Sequence, residues 1–235
     1  TVDFVDIAGL VKGASKGEGL GNQFLSHIRE TSAIVHVVRC FENGDITHVE
    51  GKIDPLRDIE IIETELMLAD LETMTKKTEK LQKDIKSKDK KVIAEKELAD
   101  KVKEHLEAGK PVRTLAVTEE EKEILKTFFL ITSKPVLYAC NVGENDLPSM
   151  KNKFTEIVEQ RAKEEGYEAI PICAKIEAEL SELSDADQKT FLSDLGLEEP
   201  GLDRLIKASY HLLGLITYLT AGEDECRAWT IKKGF

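Results

Sequence analysis

Asp6-Ile7-Ala8-Gly9 closes the first apolar run of the chain, and its pattern, D-x-x-G, suits contact with a nucleotide phosphate. In such a turn the Asp6 carboxylate can hold a magnesium ion through water, and Gly9, having no Cβ, lets a backbone N–H approach the terminal phosphate. Composition alone produces this loose pattern about once in a chain of 235 residues, so its place carries the weight. It follows a strand-like segment, Thr1 to Asp6, at the end where open α/β sheets bind ligands. The glycine-rich stretch from Gly13 to Gly21 comes next. It reads as a phosphate cradle, a loop or a helix entry; after D-x-x-G it best suits a switch that orders around a terminal phosphate. Lys12 and Lys16 are phosphate contacts or solvated lysines.

A second set stands at two later strand ends. Asn141-Val142-Gly143-Glu144 follows the strand-like PVLYAC, in the place where guanine-reading proteins carry N-K-x-D. Val142 cannot supply the cation, and Glu144 is one methylene longer than Asp, so guanine preference is expected to be lost. Asn141 can instead pair with the amino group and ring nitrogen of adenine; the bland alternative is a strand-end asparagine in a turn. Cys173-Ala174-Lys175 ends the next strand, where a short loop can touch the base. Leu10 occupies the position at which many GTPases place a water-orienting Gln, and an apolar side chain cannot align a nucleophilic water. His48, in the polar loop from Glu42, is the candidate to do so, since a neutral imidazole accepts from water; an ordinary surface-loop histidine is the other reading. The expected catalytic set is therefore His48, Gly9 and Leu10. The expected nucleotide-binding set is Asp6, Gly9, Asn141, Val142, Glu144, Cys173 and Ala174, with Asp6 also holding magnesium. No G-x-x-x-x-G-K-[ST] phosphate loop occurs in the sequence, which predicts weak nucleotide binding by this chain or none.

The elements that must position these residues alternate. Ala33 to Val38 reads as a strand buried on both faces, Pro135 to Cys140 and Ala169 to Cys173 as further strands, and Lys151 to Glu165, Lys175 to Leu183 and Leu202 to Leu213 as helices. That order predicts parallel crossovers. Between the halves, Met67, Leu71, Met74, Leu81 and Ile85, then Val92, Ala99, Val102 and Leu106, fall at the spacing of an antiparallel helical hairpin whose arms meet near Ser87 to Lys90. Gly109 and Pro111 end its second arm. Thr118-Glu119-Glu120-Glu121 is a capping box opening a helix with Ile124, Leu125, Phe128 and Phe129 on one face. Ile216 to Thr220 and Cys226 to Ile231 are strand-like.

The 235 residues carry 33 Lys and Arg against 45 Asp and Glu, a formal charge of −12, so nucleic-acid contact must be local. The hairpin supplies such a locality: residues 76 to 91 hold eight lysines against three acids. No apolar run spans a membrane and no signal peptide is evident, so a cytoplasmic protein without membrane contact, a monomer, is expected. Cys40, Cys140, Cys173 and Cys226 read as reduced packing residues. His36 reads as a core histidine.

The chain closely resembles the YchF family, the Obg-like ATPases, in FVDIAGLVKGASKGEGLG (Phe4 to Gly21), NQFLSHIRE (Asn22 to Glu30), HVVRCFEN (His36 to Asn43), EEPGL (Glu198 to Leu202) and TAGEDECRAWTI (Thr220 to Ile231). The resemblance implies an α/β fold: a mostly parallel sheet of P-loop NTPase type, an inserted antiparallel helical hairpin and the start of a small β-rich TGS domain. The corresponding boundaries are residues 1–65 and 118–214 for the nucleotide-binding domain, 66–117 for the insertion and 215–235 for the TGS start. It further implies a magnesium-dependent ATPase preferring ATP over GTP that acts as a switch on the ribosome or its large subunit. It assigns Asp6 and Gly9 to magnesium and the terminal phosphate, Asn141 and its neighbours to the base, and His48 to hydrolysis. The family's phosphate loop and most of its TGS domain have no counterpart in the sequence, so the chain alone is expected to be inactive. Two alternatives stand beside this reading: an Obg-type GTPase, and a non-catalytic module binding RNA or the ribosome through the Lys76–Lys91 region.

Overall fold

Apolar runs of six residues with β-branched side chains pair into ladders, while runs with a 3.6-residue period wind into helices that bury one stripe. In a computed structural model of the chain, which describes residues 2–7, 20–42, 53–84, 89–222 and 225–234, both outcomes are seen. The first half runs α1 (Leu20–Glu30), β1 (Ile34–Arg39), α2 (Pro55–Asp84), α3 (Lys90–Glu107) and α4 (Glu119–Lys126). The second runs β2 (Val136–Asn141), α5 (Lys153–Glu165), β3 (Ala169–Ile172), α6 (Ala174–Ser181), α7 (Asp185–Asp194), α8 (Gly201–Leu212), β4 (Leu215–Ala221) and β5 (Cys226–Lys232). The chain divides into two compact units, residues 1–4, 33–58 and 136–235, and residues 5–32 and 59–135.

In the first unit β1, β2 and β3 form a parallel sheet in that order. Arg39 lies opposite Asn141, and Asn141 opposite Ile172, so the three strands finish level with one another. The central strand β2 is buried along Val136 to Cys140. β1 is not buried on both faces as its sequence suggests: Val37 is 67% exposed and only Val38 is fully enclosed, β1 being an edge strand among the described strands. His36 is half-buried and leans on the Tyr138 ring at 5.9 Å. α8 covers the sheet, packing Leu205 and Ala208 on Leu137 and Ala139. α7 was not legible in the sequence, whose apolar spacing there is irregular. β4 and β5 pair antiparallel, with Tyr218 opposite Trp229. Cys40, Cys140 and Cys173 are buried as expected, whereas Cys226, at the start of β5, is exposed.

Residues 2–7 make no ladder, contrary to the strand expected over Thr1 to Asp6, and Phe4 and Val5 are 48% and 58% exposed. A strand conformation is stable only beside a hydrogen-bonding neighbour, and among the described strands none pairs with this segment.

The second unit is helical. Met74 and Leu81 of α2 close on Leu98, Ala99, Val102 and Leu106 of α3, with Met67, Leu71 and Val92 at the margins, the seam that the spacing predicts plus Leu98. Ile85 and most of the turn between the arms lie outside the described residues. α2 starts at Pro55, well before Leu66, since proline's fixed φ suits a first helical position. The Thr118 and Glu121 capping box is present. Phe128 is buried, but α4 ends at Lys126, so Phe129, at φ 51°, turns away and is 69% exposed.

One carboxylate ties this unit together. Asp70 of α2, with no exposed surface, accepts from the backbone N–H of Ile131 at 2.9 Å, the N–H of Thr132 at 2.7 Å and the Thr132 hydroxyl at 2.7 Å. Arg29, at the end of α1, sits 3.7 Å from it and donates to Thr73 Oγ1 and the Phe129 carbonyl. Lys134 donates to the carbonyls of Arg29 and Thr31. Burial raises the Asp70 pKa above the ordinary carboxylate value, against the opposing pull of the Thr132 and Ile131 donors and of Arg29. The native state therefore binds a proton that the unfolded chain has released, so this group's contribution is greatest in acid and declines as pH climbs from the ordinary carboxylate value through the raised one. Asp70→Asn places an NH₂ against backbone donors and removes this titration, so it is expected to cost about 2–3 kcal/mol near pH 4 and less near neutral pH. Urea unfolding at the two pH values checks both the size and the direction.

Candidate functional site

Parallel strands that end level leave their last residues and the following loops at one rim of the sheet, where ligands of open α/β folds bind. Asn141 is the last residue of β2 and stands beside Ile172, the last of β3. Its Oδ1 accepts from the backbone N–H of Ala174 at 3.1 Å. That N–H is one of the four at the start of α6 without an intrahelical acceptor. Asn141 thus joins the two loops that the sequence singled out, and its Nδ2 donors and second Oδ1 lone pair remain for a ligand.

The neighbours fall into place around this bond. Val142 is 2% exposed and donates its N–H to the Ile172 carbonyl at 2.8 Å, so its side chain fills the interior rather than the rim. Gly143 and Glu144 begin a 3-10 turn in which Asp146 Oδ2 accepts from the Gly143 N–H at 3.1 Å. Asn152 donates to the same Asp146 oxygen at 2.9 Å and to the Cys40 carbonyl at 2.8 Å, while its own Oδ1 caps α5 through Phe154 and Thr155. The Glu144 carboxylate is exposed and meets Lys175 Nζ at 2.7 Å. Cys173 is buried and takes the position before α6, leaving Ala174 exposed. The position of α6 is held from behind: Glu177 accepts from the N–H groups of Gly201 and Leu202 at 2.7 and 3.1 Å, where α8 starts. A Cβ on Gly201 would lie 2.7 Å from Ile172 Cγ2, which is the packing reason for glycine in the EEPGL stretch.

Five of the sequence-derived residues, Asn141, Val142, Glu144, Cys173 and Ala174, are therefore gathered at the ends of β2 and β3. Asp6 is exposed and belongs to the other compact unit. Gly9, Leu10 and His48 lie outside the described residues. Sequence reasoning missed Asp146, Asn152 and Glu177, and it named Lys175 only as part of the Cys173-Ala174-Lys175 loop. Asn152 had a legible signal, a helix-capping residue just before Lys153; Asp146 acts through the nearby Gly143 and Asn152, whereas Lys175 and Glu177 act through partners distant in the chain. The thiol of Cys40 is pushed far above the ordinary range by its hydrogen bond with Cys140, by burial and by the charges of Cys140 and Asp146. It stays protonated and offers no nucleophile. Among the described residues no His, Cys, Asp and Glu cluster forms a metal cage, and no helix is long and apolar enough to cross a membrane.

Residues 1–142 match the family of 50S ribosome-binding GTPases. A curated relative from Bacillus subtilis, "Ribosome-binding ATPase YchF", is 54% identical over 99% of this chain and 64% of its own length. The Escherichia coli O157:H7 protein of the same name is 50% identical over 100% of this chain and 64% of its own. A solved structure described as the Schizosaccharomyces pombe YchF GTPase superposes with TM-score 0.81 at 38% identity, over 97% of this chain and 62% of that one. The chain spans 64% of the length of these curated relatives.

Removing the Asn141 amide leaves the Ala174 N–H without its acceptor. Asn141→Ala is expected to cost about 1 kcal/mol of stability and to speed exchange of the Ala174 amide hydrogen selectively, measured by hydrogen–deuterium exchange; unchanged exchange would show that the bond does not position the loop.

Proposed function

The chain belongs to the YchF family, within the 50S ribosome-binding GTPase group, and from that premise we propose that it serves a ribosome-associated, magnesium-dependent switch protein that hydrolyses ATP in preference to GTP. The observation that carries the choice of base is the hydrogen bond from Ala174 N–H to Asn141 Oδ1. Adenine presents an acceptor, N7, beside a donor, the N6 amine; guanine presents two acceptors, N7 and O6. The amide of Asn141 offers a donor and a remaining acceptor, which match adenine. Against guanine, Oδ1 would face O6, and the nearby N–H that could serve O6 is already satisfied. The relatives are named variously as ATPase and GTPase, so this local chemistry is the argument for adenine.

Asp6 fits the part of a magnesium contact. An exposed carboxylate suits an ion that keeps most of its waters and is bound mainly by substrate phosphates; such an ion neutralises charge building on the phosphates. In this reading Gly9 lets the backbone approach the terminal phosphate, and His48 orients the water that Leu10 cannot. Asn141 reads the base with Ala174 beside it, Glu144 stands at the edge of the base site, and Val142 and Cys173 are packed behind them. The protein works as a cytoplasmic monomer.

Titration of the full-length protein with ATP and GTP in magnesium is the deciding experiment. A bidentate amide–base pair is worth about 1–3 kcal/mol of discrimination, so ATP is expected to bind roughly ten-fold or more tightly. Equal or tighter GTP binding refutes the adenine assignment and favours the Obg-type GTPase.

The helical hairpin is the proposed output surface, contacting ribosomal RNA. Lys80, Lys83, Lys90 and Lys91 are exposed along it, whereas Lys76 and Lys77 are held by Glu72 and Glu95 at 2.6 and 2.7 Å. Reversing Lys80, Lys83, Lys90 and Lys91 to Glu is expected to weaken ribosome co-sedimentation and flatten its salt dependence; unchanged co-sedimentation removes the hairpin from that role.

A further inference from the structure

A second link spans the same two strand ends as the Asn141–Ala174 bond. Lys175 Nζ lies 2.7 Å from Oε2 of Glu144, and neither residue is needed by the sheet: their side chains are 63% and 47% exposed. Both ends of the link are anchored. Glu144 starts the turn pinned by Asp146 and Asn152, and Lys175 sits in the first turn of α6, whose leading N–H is tied to Asn141. An exposed ion pair contributes little to folding, so this one is better understood by what it does to the carboxylate.

We propose that the Lys175–Glu144 ion pair is a specificity determinant of the base site, withholding the Glu144 carboxylate from guanine. The proposal rests on the adenine reading of Asn141 and adds a cause for the rejection of guanine. Guanine's outer edge carries two adjacent donors, N1–H and the N2 amine, and a carboxylate that accepts both must offer two unencumbered oxygens. One extra methylene does not by itself keep Glu144 from that contact. The lysine does: it engages Oε2, neutralises the charge and draws the side chain toward α6. The interaction also raises the Lys175 pKa above its ordinary value, chiefly through the hydrogen bond to Glu144, so the cation persists at neutral pH. Adenine, with a ring acceptor at N1 and a donor at N6, has no two adjacent donors for the carboxylate and loses nothing by its withdrawal.

The test measures the ratio of GTP to ATP dissociation constants for the full-length protein in magnesium, as wild type, Lys175→Ala, Glu144→Gln and the double variant. Both sites are exposed, so unchanged thermal midpoints are expected and confirm folding. Lys175→Ala is expected to lower the ratio about three- to five-fold, the scale of an exposed ion pair. The double variant is expected to return to the wild-type ratio, because an amide cannot accept both guanine donors. If Lys175→Ala leaves a wild-type ratio above unity unmoved, the ion pair is refuted while the Asn141 reading stands. If the double variant stays as low as Lys175→Ala, the lysine acts by touching adenine and the proposed mechanism fails. A wild-type ratio at or below unity refutes both readings.

Discussion

Backbone N–H groups at the start of a helix have no acceptor within it, and the protein satisfies several of them with side chains that come from far along the chain. Asp70 serves Ile131 and Thr132, Asn141 serves Ala174, and Glu177 serves Gly201 and Leu202. Each bond meets an obligation local to one turn and, in doing so, fixes two elements against each other. The helical unit is registered by the first of them, and the rim of the sheet by the other two.

At that rim the same economy produces the candidate site. Asn141 is at once the acceptor that holds the loop before α6 and the amide left facing outward with unused donors. A residue that did only one of these things would either leave the loop unfastened or offer no free donor at the rim. The buried Val142 and Cys173 show the complement: in both loops one residue is turned inward as ballast so that its neighbour can be presented. Glu144 and Lys175 then close the gap with charges that the fold does not require.

How legible these features are in the sequence depends on the range of the interaction that makes them. β2, α5, α8 and the α2–α3 seam are written as periodicities, because burial of a stripe or a face is decided by spacing within one element. The Thr118 capping box is written outright, being contained within four residues. β1 was legible as a strand but not as an edge among the described strands, for the exposure of Val37 depends on how many neighbours the strand has. Phe129 was misassigned because its position depends on where α4 stops, and the chain leaves α4 by a positive φ that apolar spacing does not signal.

Of the site, the residue types and their order at the ends of β2 and β3 were determined by the sequence alone, since Asn141 to Glu144 and Cys173 to Lys175 are each contiguous and each follow an apolar run. So was the family resemblance, which is a matter of residue identity. The tertiary structure decided the rest: that Asn141 spends one lone pair on Ala174, that Val142 faces inward, that Asp146 and Asn152 brace the turn, and that Lys175 captures Glu144. Those are contacts between residues up to 112 positions apart, and their geometry is set by strand register and helix placement. No local stretch of residues encodes either one, because both emerge only when the sheet closes and the helices pack upon it.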